Sequence, residues 1–440
     1  MSISARDVAL EALERCRKDG AWSAPVIDGL IKKYDLDRRE AALAARLFLG
    51  VLQNSRFCDH YLGLYCSRGL KSLHPTVLDI LRLGAYQLLF LDKIPARAAV
   101  SESVALCRRS AQSSAAGLVN AVLRRLSENR KQLPELPGRG SATYLSVRYS
   151  FPEWLTERVC IERGYDLAEA FFAACNEPAE LALHVNTLKI PAAEYRRALL
   201  RAEIGYAECP VSPDCLLLQG GSVTDLPGYE EGLFYIQDPA AHCAVLAADP
   251  RPGMRVLDAC AAPGGKSFAA AVAMRDQGQI VSCDLHEKKL ALIRSGAARL
   301  GLSCIETGAR DARRFVAEYQ EAFDLVIADV PCSGLGVIRK RPEIRRKRAE
   351  EIASLPEIQI RILDNLKNYV KPGGVLMYST CTVLRAENRD VIRTFMSRNP
   401  DFSPEDFSVG PLSSTEGAYE FWPHIDGTDG FFAAKLRRKQ

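Results

Sequence analysis

The chain has 440 residues, too many for a single hydrophobic core, so two or three domains are expected. Hydrophobic residues make up 48% of the sequence and charged residues 25%, as in globular proteins, and no apolar run approaches the roughly 20 residues that cross a bilayer. The fourteen cysteines include no Cys-x-x-Cys pair of the kind that binds zinc, and the N-terminus begins an amphipathic helix without a signal peptide. A cytoplasmic protein with reduced thiols, no metal and no membrane contact is therefore expected.

The net charge of +4 is unevenly distributed along the chain. Residues 1–130 carry 20 Lys and Arg against 13 Asp and Glu, which favours contact of this segment with a polyanion. Apolar residues recur there at helical spacing, as in Val8, Leu10 and Leu13, and predict an all-α bundle. The following residues 131–141 are rich in proline and glycine and are predicted to be a linker.

Residues 142–235 mix the two periodicities. A helical pattern begins at Trp154, residues 183–188 alternate as in a strand, a further helix is predicted around residues 195–200, and residues 215–218 form another strand. This segment is predicted to be a small α+β module.

Residues 236–440 alternate strands with longer helical stretches. The predicted strands are residues 256–258, 280–284, 323–329 and 374–379. This alternation predicts a doubly wound parallel sheet, in which ligands bind at the carboxyl ends of the strands. The predicted fold class is therefore α/β, with a Rossmann-like domain, a small α+β module and an N-terminal all-α bundle.

A glycine turn stands where the first strand of this sheet should give way to its first helix. Gly264 and Gly265 let the backbone pass close to a ligand, and the following helix offers free N–H groups. The turn lacks the Gly-x-Gly-x-x-Gly of dinucleotide sites, and a phosphate-binding P-loop would need a glycine in place of Cys260. A different small cofactor is therefore expected, with these predicted contacts: Cys260, Ala261, Ala262, Pro263, Gly264, Gly265 and Lys266.

Aspartates follow the later strands of the same sheet. Asp284 ends the second strand, where a carboxylate can accept both ribose hydroxyls of an adenosine. Asp311 and Asp329 follow near the ends of later strands. A single Asp in such a place is more often a helix cap or a loop residue, but its recurrence at successive strand ends favours a ligand site.

Two cysteines also follow strand ends: Cys332 in Asp-Val-Pro-Cys-Ser and Cys381 in Ser-Thr-Cys-Thr. A buried cysteine is usually structural, whereas a thiol in a loop that lines a ligand crevice can act as a nucleophile. Addition of a thiolate to C6 of cytosine turns the ring into an enamine that can be methylated at C5. A free cysteine has a pKa of about 8.5, so the site must lower that pKa. Asp329 is placed to hydrogen-bond the ring N3 and amino group.

At these motifs the sequence resembles the RNA cytosine-C5 methyltransferases that use S-adenosylmethionine. The resemblance implies that Cys381 attacks C6 and that Cys332 assists release of the product, whereas the DNA enzymes use the Pro-Cys position as nucleophile. It also implies that S-adenosylmethionine is bound by the glycine turn together with Asp284, Asp311 and Asp329. The shared motifs are residues 237–241, 260–266, 329–334, 380–381, 385–388 and 429–432, with Asp284 and Asp311 between them.

Residues 1–130 resemble the NusB antitermination fold, notably at residues 82–88 and 117–125. A NusB-like module fused to this catalytic domain is the layout of bacterial enzymes that methylate small-subunit (16S) rRNA at C5 of cytosine. The resemblance implies that activity for this chain. The presence of two accessory modules favours a monomer, in the cytoplasm that the reduced thiols indicate. The implied domains are a NusB-like RNA-binding domain (1–130), a linker (131–141), a small α+β RNA-binding module (142–235) and the methyltransferase domain (236–440).

The basic segment 339–348, in which seven of ten residues are Lys or Arg, is predicted to draw the RNA backbone across the site. Three alternatives stay open. The same chemistry could act on tRNA, or the chain could be an RNA-binding ribosome assembly factor with an unused site. A DNA cytosine methylase is a third reading, disfavoured by the second thiol at Cys381.

Overall fold

The structure is a computed structural model that describes residues 3–212, 214–219 and 221–440. The chain divides into two compact units. Unit 1 comprises Met1–Glu177 and Ile338–Ala349, and unit 2 comprises Pro178–Val337 and Glu350–Gln440. This division is not the same as the four domain segments predicted from the sequence, which stay a prediction.

Unit 1 is built from helices, as its apolar spacing predicts. The first helix begins with a capping box, in which Ser4 Oγ accepts a hydrogen bond from Asp7 N while Asp7 Oδ2 accepts one from Ser4 N. The apolar faces of the first six helices meet in one core that includes Leu13, Leu47 and Leu81. The helices are α1 (Ala5–Asp19), α2 (Ser23–Lys33), α3 (Arg38–Tyr65), α4 (Pro75–Phe90), α5 (Ala96–Arg109), α6 (Ala116–Asn129), α7 (Ala142–Tyr149), α8 (Glu153–Arg163) and α9 (Tyr165–Ala174).

The basic segment 339–348 lies in unit 1, and for Arg345 the prediction of an RNA contact is wrong. Arg345 is only 6% exposed. Its guanidinium donates to Gln53 O at 2.9 Å, to Tyr149 O at 2.7 Å and to Asn176 Oδ1 at 2.6 Å. Acceptors from distant parts of the chain converge on this side chain, so Arg345 is a buried structural contact.

The first part of unit 2 is a four-stranded antiparallel sheet with the strand order β2-β3-β1-β4. This sheet and the helix packed on it confirm the prediction that a small α+β module is present. Leu183, Val185 and Leu216 of this sheet pack with Tyr195 of its helix in a separate small core. Its elements are β1 (Leu181–Val185), α10 (Ala192–Arg201), β2 (Tyr206–Glu208), β3 (Cys215–Leu218) and β4 (Phe234–Ile236).

The rest of unit 2 surrounds an eight-stranded sheet with the order β10-β14-β9-β8-β5-β6-β7, in which β13 also pairs with β14. The central pairs β7/β6, β6/β5, β5/β8 and β8/β9 are parallel, which confirms the predicted Rossmann-like arrangement. The strands are β5 (Arg255–Asp258), β6 (Gln279–Asp284), β7 (Ile305–Ala309), β8 (Phe323–Asp329), β9 (Val370–Thr380), β10 (Phe402–Pro404), β11 (Ser408–Val409), β12 (Leu412–Ser413), β13 (Ala418–Phe421) and β14 (Phe431–Arg438).

The sheet differs from a wholly parallel one at its C-terminal edge, where β14 pairs antiparallel with β9, β10 and β13. Alternate residues of β8 enter two cores on opposite faces. Leu325 and Ile327 join one core, and Val326 and Ala328 join the other. The helices are α11 (Pro239–Ala248), α12 (Gly265–Ala273), α13 (Glu287–Leu300), α14 (Ala349–Ile352), α15 (Leu355–Leu366), α16 (Arg389–Arg398) and α17 (Pro423–Asp426).

No described helix has both the length and the apolar character that a membrane span requires. Nor do three or more His, Cys, Asp or Glu side chains in the described ranges come together as metal ligands.

Candidate active site

The two predicted thiols meet at the carboxyl ends of two neighbouring parallel strands. β8 and β9 pair with Asp329 opposite Ser379, and Val330 N donates to Ser379 O at 3.1 Å. The loops that follow bring Cys332 Sγ to 3.2 Å from Cys381 Sγ. Residues 49 positions apart in the sequence therefore share one site, as their places after the strand ends predict.

The surroundings hold the proton on Cys332. The hydrogen bond with Cys381 is the largest cause that raises the pKa of Cys332 well above its ordinary range, and burial raises it further. The nearby charges of Glu387 and Asp329 act in the same direction. Cys332 is therefore a neutral thiol near pH 7, and it can donate its S–H to the sulfur of Cys381.

Asp329 lies beside the thiols and is held by two donors. Lys266 Nζ lies 2.6 Å from Asp329 Oδ2, and Ser379 Oγ donates to Asp329 Oδ1 at 2.8 Å. Burial lowers the pKa of Lys266, but the charge and the hydrogen bond of Asp329 outweigh it, and the net effect is a raised pKa. The Asp329 side chain keeps 30% of its surface exposed, so this charged pair faces the crevice at the strand ends.

A buried carboxylate, to which the sequence alone assigned no role, lies directly behind the thiols. Glu387 is 1% exposed. Its carboxylate accepts hydrogen bonds from Ser333 N at 2.8 Å, from Gln359 Nε2 at 3.0 Å and from Thr382 Oγ1 at 3.3 Å. The only signal for it was its place in the motif of residues 385–388, which carries no distance information.

The glycine turn joins β5 to α12 beside the end of β6. Ala261 N donates to Cys283 O at 2.7 Å, and Gly264 N donates to Ala261 O at the same distance, which closes the turn. Gly264 has a φ of +116°, and a Cβ there would come within 2.5 Å of the Phe268 ring. A side chain at this position would therefore disrupt the turn.

The other predicted cofactor contacts of the turn differ in exposure. Burial raises the pKa of the Cys260 thiol, so Cys260 is not a reactive thiol at neutral pH. Ala261 and Gly264 are buried, Pro263 is exposed, and Cys260, Ala262, Gly265 and Lys266 are half-buried.

A buried carboxyl group lies under the turn at the end of β5. Asp258 Oδ2 accepts a hydrogen bond from Ser267 Oγ at 2.7 Å, whereas Oδ1 has no hydrogen-bond partner among the described residues. Burial raises the pKa of Asp258 to about 7. An orphaned oxygen at this point can accept a hydrogen bond from a ligand or a water molecule.

Asp284 and Asp311 lie at the carboxyl ends of the two strands next to β5 on this side of the sheet. Asp284 is the last residue of β6, and Asp311 follows the end of β7. Asp284 Oδ1 accepts a hydrogen bond from His286 N at 3.0 Å. Arg313 donates to both carboxylate oxygens of Asp311, and this hydrogen bonding is the largest cause that lowers the pKa of Asp311 to about 2. Asp311 lines a cavity together with Cys283 of β6. The turn, Asp284 and Asp311 therefore surround the carboxyl ends of β5, β6 and β7.

Three family patterns match successive parts of the chain. The NusB family matches residues 3–128, a ferredoxin-like domain described for RsmF/B-like methyltransferases matches residues 151–224, and the family described as 16S rRNA methyltransferase RsmB/F matches residues 245–437. The last match contains the glycine turn and both thiols.

The chain is also similar to known proteins over its whole length. It is 36% identical to the probable ribosomal RNA small subunit methyltransferase B of Bacillus subtilis, over 99% of each chain. Among solved structures, the protein PH0851 is 26% identical, with a TM-score of 0.83 and complete coverage of both chains. A methyltransferase homologue from Pyrococcus horikoshii is 28% identical, with a TM-score of 0.60, over 69% of this chain and all of its own. The chain therefore belongs to the ribosomal RNA small subunit methyltransferase B family.

Proposed function

We propose that this chain methylates C5 of one cytosine in small-subunit rRNA through a covalent bond between Cys381 and C6 of the base. The observation that carries the proposal is the pair of thiols 3.2 Å apart, beside Asp329 and next to the glycine turn. The names of its relatives, which are ribosomal RNA small subunit methyltransferases, support rRNA as the substrate. A substrate of this kind would place the chain in the cytoplasm, where we expect it to act as a monomer.

S-adenosylmethionine is the proposed cofactor, and it supplies the methyl group. The residues present suit it: the Asp284 carboxylate can accept the ribose hydroxyls, and the turn gives close access to backbone groups. The orphaned Asp258 Oδ1 offers one further acceptor. The proposed contacts are Cys260, Ala261, Ala262, Pro263, Gly264, Gly265, Lys266, Asp284, Asp311 and Asp329.

In the first step, the Cys381 thiolate forms an Sγ–C6 bond with the cytosine. The electrons of the C5–C6 double bond become available at C5, which then takes the methyl group. The proton lost by the Cys381 thiol is taken up at N3, where the addition would otherwise place negative charge. The Asp329 carboxylate then accepts hydrogen bonds from N3–H and from the exocyclic amino group, which stabilises the adduct. Lys266 and Ser379 fix the position of the Asp329 carboxylate for this contact.

In the second step, the proton on C5 leaves, the C5–C6 double bond forms again, and the Sγ–C6 bond breaks. We assign the proton transfer to Cys332. Its pKa is raised chiefly by its hydrogen bond with Cys381 and also by the charge on that sulfur. Once Cys381 is a thioether, both of these influences end, although burial still raises the pKa of Cys332. Cys332 then passes its proton to solvent, and its thiolate takes the proton from C5.

The test compares Cys332→Ser with Cys381→Ser in the full chain. Each protein is incubated with S-adenosylmethionine and a small-subunit rRNA transcript, and the products are separated on a denaturing gel. Cys332→Ser should give a slowly migrating protein–RNA band, because the adduct forms but is not released, and Cys381→Ser should give none. Cys160→Ser, a half-buried cysteine of unit 1, is the matched control and should behave like wild type.

A band with Cys381→Ser alone would reverse the two roles. The site of methylation is read by nucleoside mass spectrometry on wild-type product, where 5-methylcytidine is expected. Parallel incubations with tRNA and with DNA test the substrate class. Methylation of tRNA but not of rRNA would contradict the proposed substrate while leaving the chemistry in place, and RNA binding without turnover of any substrate would contradict both.

A further inference from the structure

The buried Glu387 carboxylate contacts the residue that follows each thiol. Ser333, whose backbone N–H donates to Glu387 Oε2, comes directly after Cys332. Thr382, whose hydroxyl donates to Glu387 Oε1, comes directly after Cys381. The two oxygens of one carboxylate therefore each hold one of the two loops.

Further hydrogen bonds close the arrangement. The hydroxyl groups of Ser333 and Thr382 lie 2.7 Å apart, so the loops also contact each other. Gln359 Nε2, from α15, donates both to Glu387 Oε2 and to Pro331 O, at 3.0 and 3.1 Å. The Cys332 loop is therefore held on both sides of its thiol, at residue 331 and at residue 333.

Glu387 itself is fixed from behind. Tyr378 OH, on β9, donates to Glu387 O at 2.6 Å. Asn388, the next residue, donates from Nδ2 to Thr382 O at 3.0 Å and so ties the same segment to the Cys381 loop. Burying a carboxylate is costly unless it is well hydrogen-bonded. The groups that donate to the Glu387 carboxylate belong to the two thiol loops and to the helix behind them.

We propose that Glu387 is a positioning residue that clamps the Cys332 and Cys381 loops together and so sets the distance between the two thiols. If Glu387 served only to begin helix α16, its side chain would not need its contacts with Ser333, Thr382 and Gln359. The negative charge of Glu387 also contributes to the raised pKa of Cys332, which links the clamp to the protonation of that thiol. The consequence for methylation rests on the function proposed above, whereas the geometry of the thiols does not.

The test follows the pH dependence of alkylation at Cys332, which does not require methylation. The full chain is treated with iodoacetamide at a series of pH values, and modification of the Cys332 peptide is quantified by mass spectrometry. Glu387→Gln keeps the size of the side chain but removes its charge. We expect the alkylation midpoint of Cys332 to move to lower pH by about one unit, because a negative charge no longer opposes its ionisation.

Asp390→Asn is the matched control, because Asp390 is 44% exposed and pairs with Arg385 three residues beyond the clamp. It should leave the Cys332 midpoint at the wild-type value. An unchanged midpoint in folded Glu387→Gln protein, or an equal shift in Asp390→Asn, overturns the proposal. Loss of methylation with the midpoint unchanged would likewise assign Glu387 some other role, so this outcome is distinct from failure of the proposed function.

A second variant keeps the test decisive if Glu387→Gln does not fold. Thr382→Val is nearly isosteric and removes the hydroxyl that contacts Glu387 and Ser333 and that also accepts a long hydrogen bond from Leu384 N. The measurement is cross-linking by diamide, whose azo bond takes up the two electrons and two protons lost when two thiols form a disulfide. We expect the Cys332–Cys381 disulfide to form about tenfold more slowly than in wild type, because the loops are no longer held in register. A wild-type rate overturns the clamp.

Discussion

Lys266 Nζ lies 2.6 Å from Asp329 Oδ2, so the glycine turn and the end of β8 meet in one ion pair. Lys266 is also one of the proposed cofactor contacts, and its ammonium lies 5.2 Å from the centre of the Phe431 ring. This ion pair therefore links the proposed binding site of the methyl donor with the proposed position of the cytosine.

Lys266→Met should lower the rate of methylation by about 100-fold, because Asp329 loses the cation that fixes its carboxylate. Asp329→Asn should cause a similar loss, and the double variant should lose little more than either single one, since the two side chains act together. The rate constant is measured under single-turnover conditions.

Lys371→Met provides the control. Lys371, in β9, pairs with Asp324 at 2.7 Å near the start of β8, at the end of that strand away from Asp329. The rate of Lys371→Met should equal that of wild type. If the losses in rate constant caused by Lys266→Met and Asp329→Asn multiply in the double variant, the two side chains act independently, which would contradict a joint role.

The two thiols should form an intramolecular disulfide in wild-type protein treated with diamide, because Cys332 Sγ and Cys381 Sγ lie 3.2 Å apart. Methylation should be lost in step with the disulfide and return on addition of dithiothreitol, since the nucleophile is blocked reversibly. Peptide mapping by mass spectrometry identifies the linked pair. Inactivation of Cys160→Ser should follow the wild-type course, and retained activity in the cross-linked protein would contradict the proposed role of the thiols.

Much of the site could be predicted because its residues follow buried parallel strands. Such strands are apolar runs, and their ends share one edge of the sheet, so Asp284, Asp329, Cys332 and Cys381 could be placed together from local patterns. The contacts of Glu387 could not, since they depend on two loops and helix α15, whose separation no local pattern encodes. The antiparallel edge formed by β14 was missed for a related reason, because strand direction in a mixed sheet is set by the path of the chain.

Arg345 shows the opposite error. Seven basic residues in ten predict an exposed surface, and the sequence gives no sign that one of them is buried. The acceptors of Arg345 come from residues 53, 149 and 176, far from it in the chain. Burial of a charge depends on such converging partners, so it becomes visible only in the folded structure.

A pair of buried histidines with tilted rings makes the stability of unit 2 dependent on pH. His184 and His242 have ring centres 4.0 Å apart, and neither His184 Nδ1 nor His242 Nδ1 has a hydrogen-bond partner among the described residues. Burial lowers the pKa of His184 to about 3 and that of His242 well below its ordinary value. Below about pH 6.5, the unfolded chain therefore binds two protons that the folded chain does not, and stability falls as the pH falls.

Asp258 acts in the opposite direction, because its raised pKa of about 7 lets the folded chain take up a proton first. His424 of unit 2, whose pKa burial also lowers, acts in the same direction as the histidine pair. The free energy of unfolding should therefore fall as the pH is lowered from 6.5 to 5. His242→Phe should make this fall shallower, because one of the histidines that bind a proton only in the unfolded chain is gone. The free energy of unfolding is measured in urea by fluorescence, in a background that keeps Trp422 as the sole tryptophan. Wild-type stability that rises on acidification over this range would contradict the assignment.

The buried guanidinium of Arg345 should be essential to the stability of unit 1. It lies 4.1 Å from the centre of the Phe151 ring, and burial lowers its pKa to about 10, so it stays charged at neutral pH. Arg345→Met should lower the free energy of unfolding by about 3 kcal/mol, because the partly buried carbonyl oxygens of Gln53 and Tyr149 lose a charged donor. Arg345→Lys should recover only part of this, since an ammonium group cannot reach all the acceptors of a planar fork.

Arg124→Met is the matched control within unit 1. Arg124 is 73% exposed and pairs with Glu128, one turn along its own helix, so the change should cost less than about 0.5 kcal/mol. Urea denaturation monitored through Trp22 and Trp154 compares the variants. Equal stability of Arg345→Met and Arg124→Met would show that Arg345 is dispensable for the fold, and a role of the basic segment in RNA binding would then again include it.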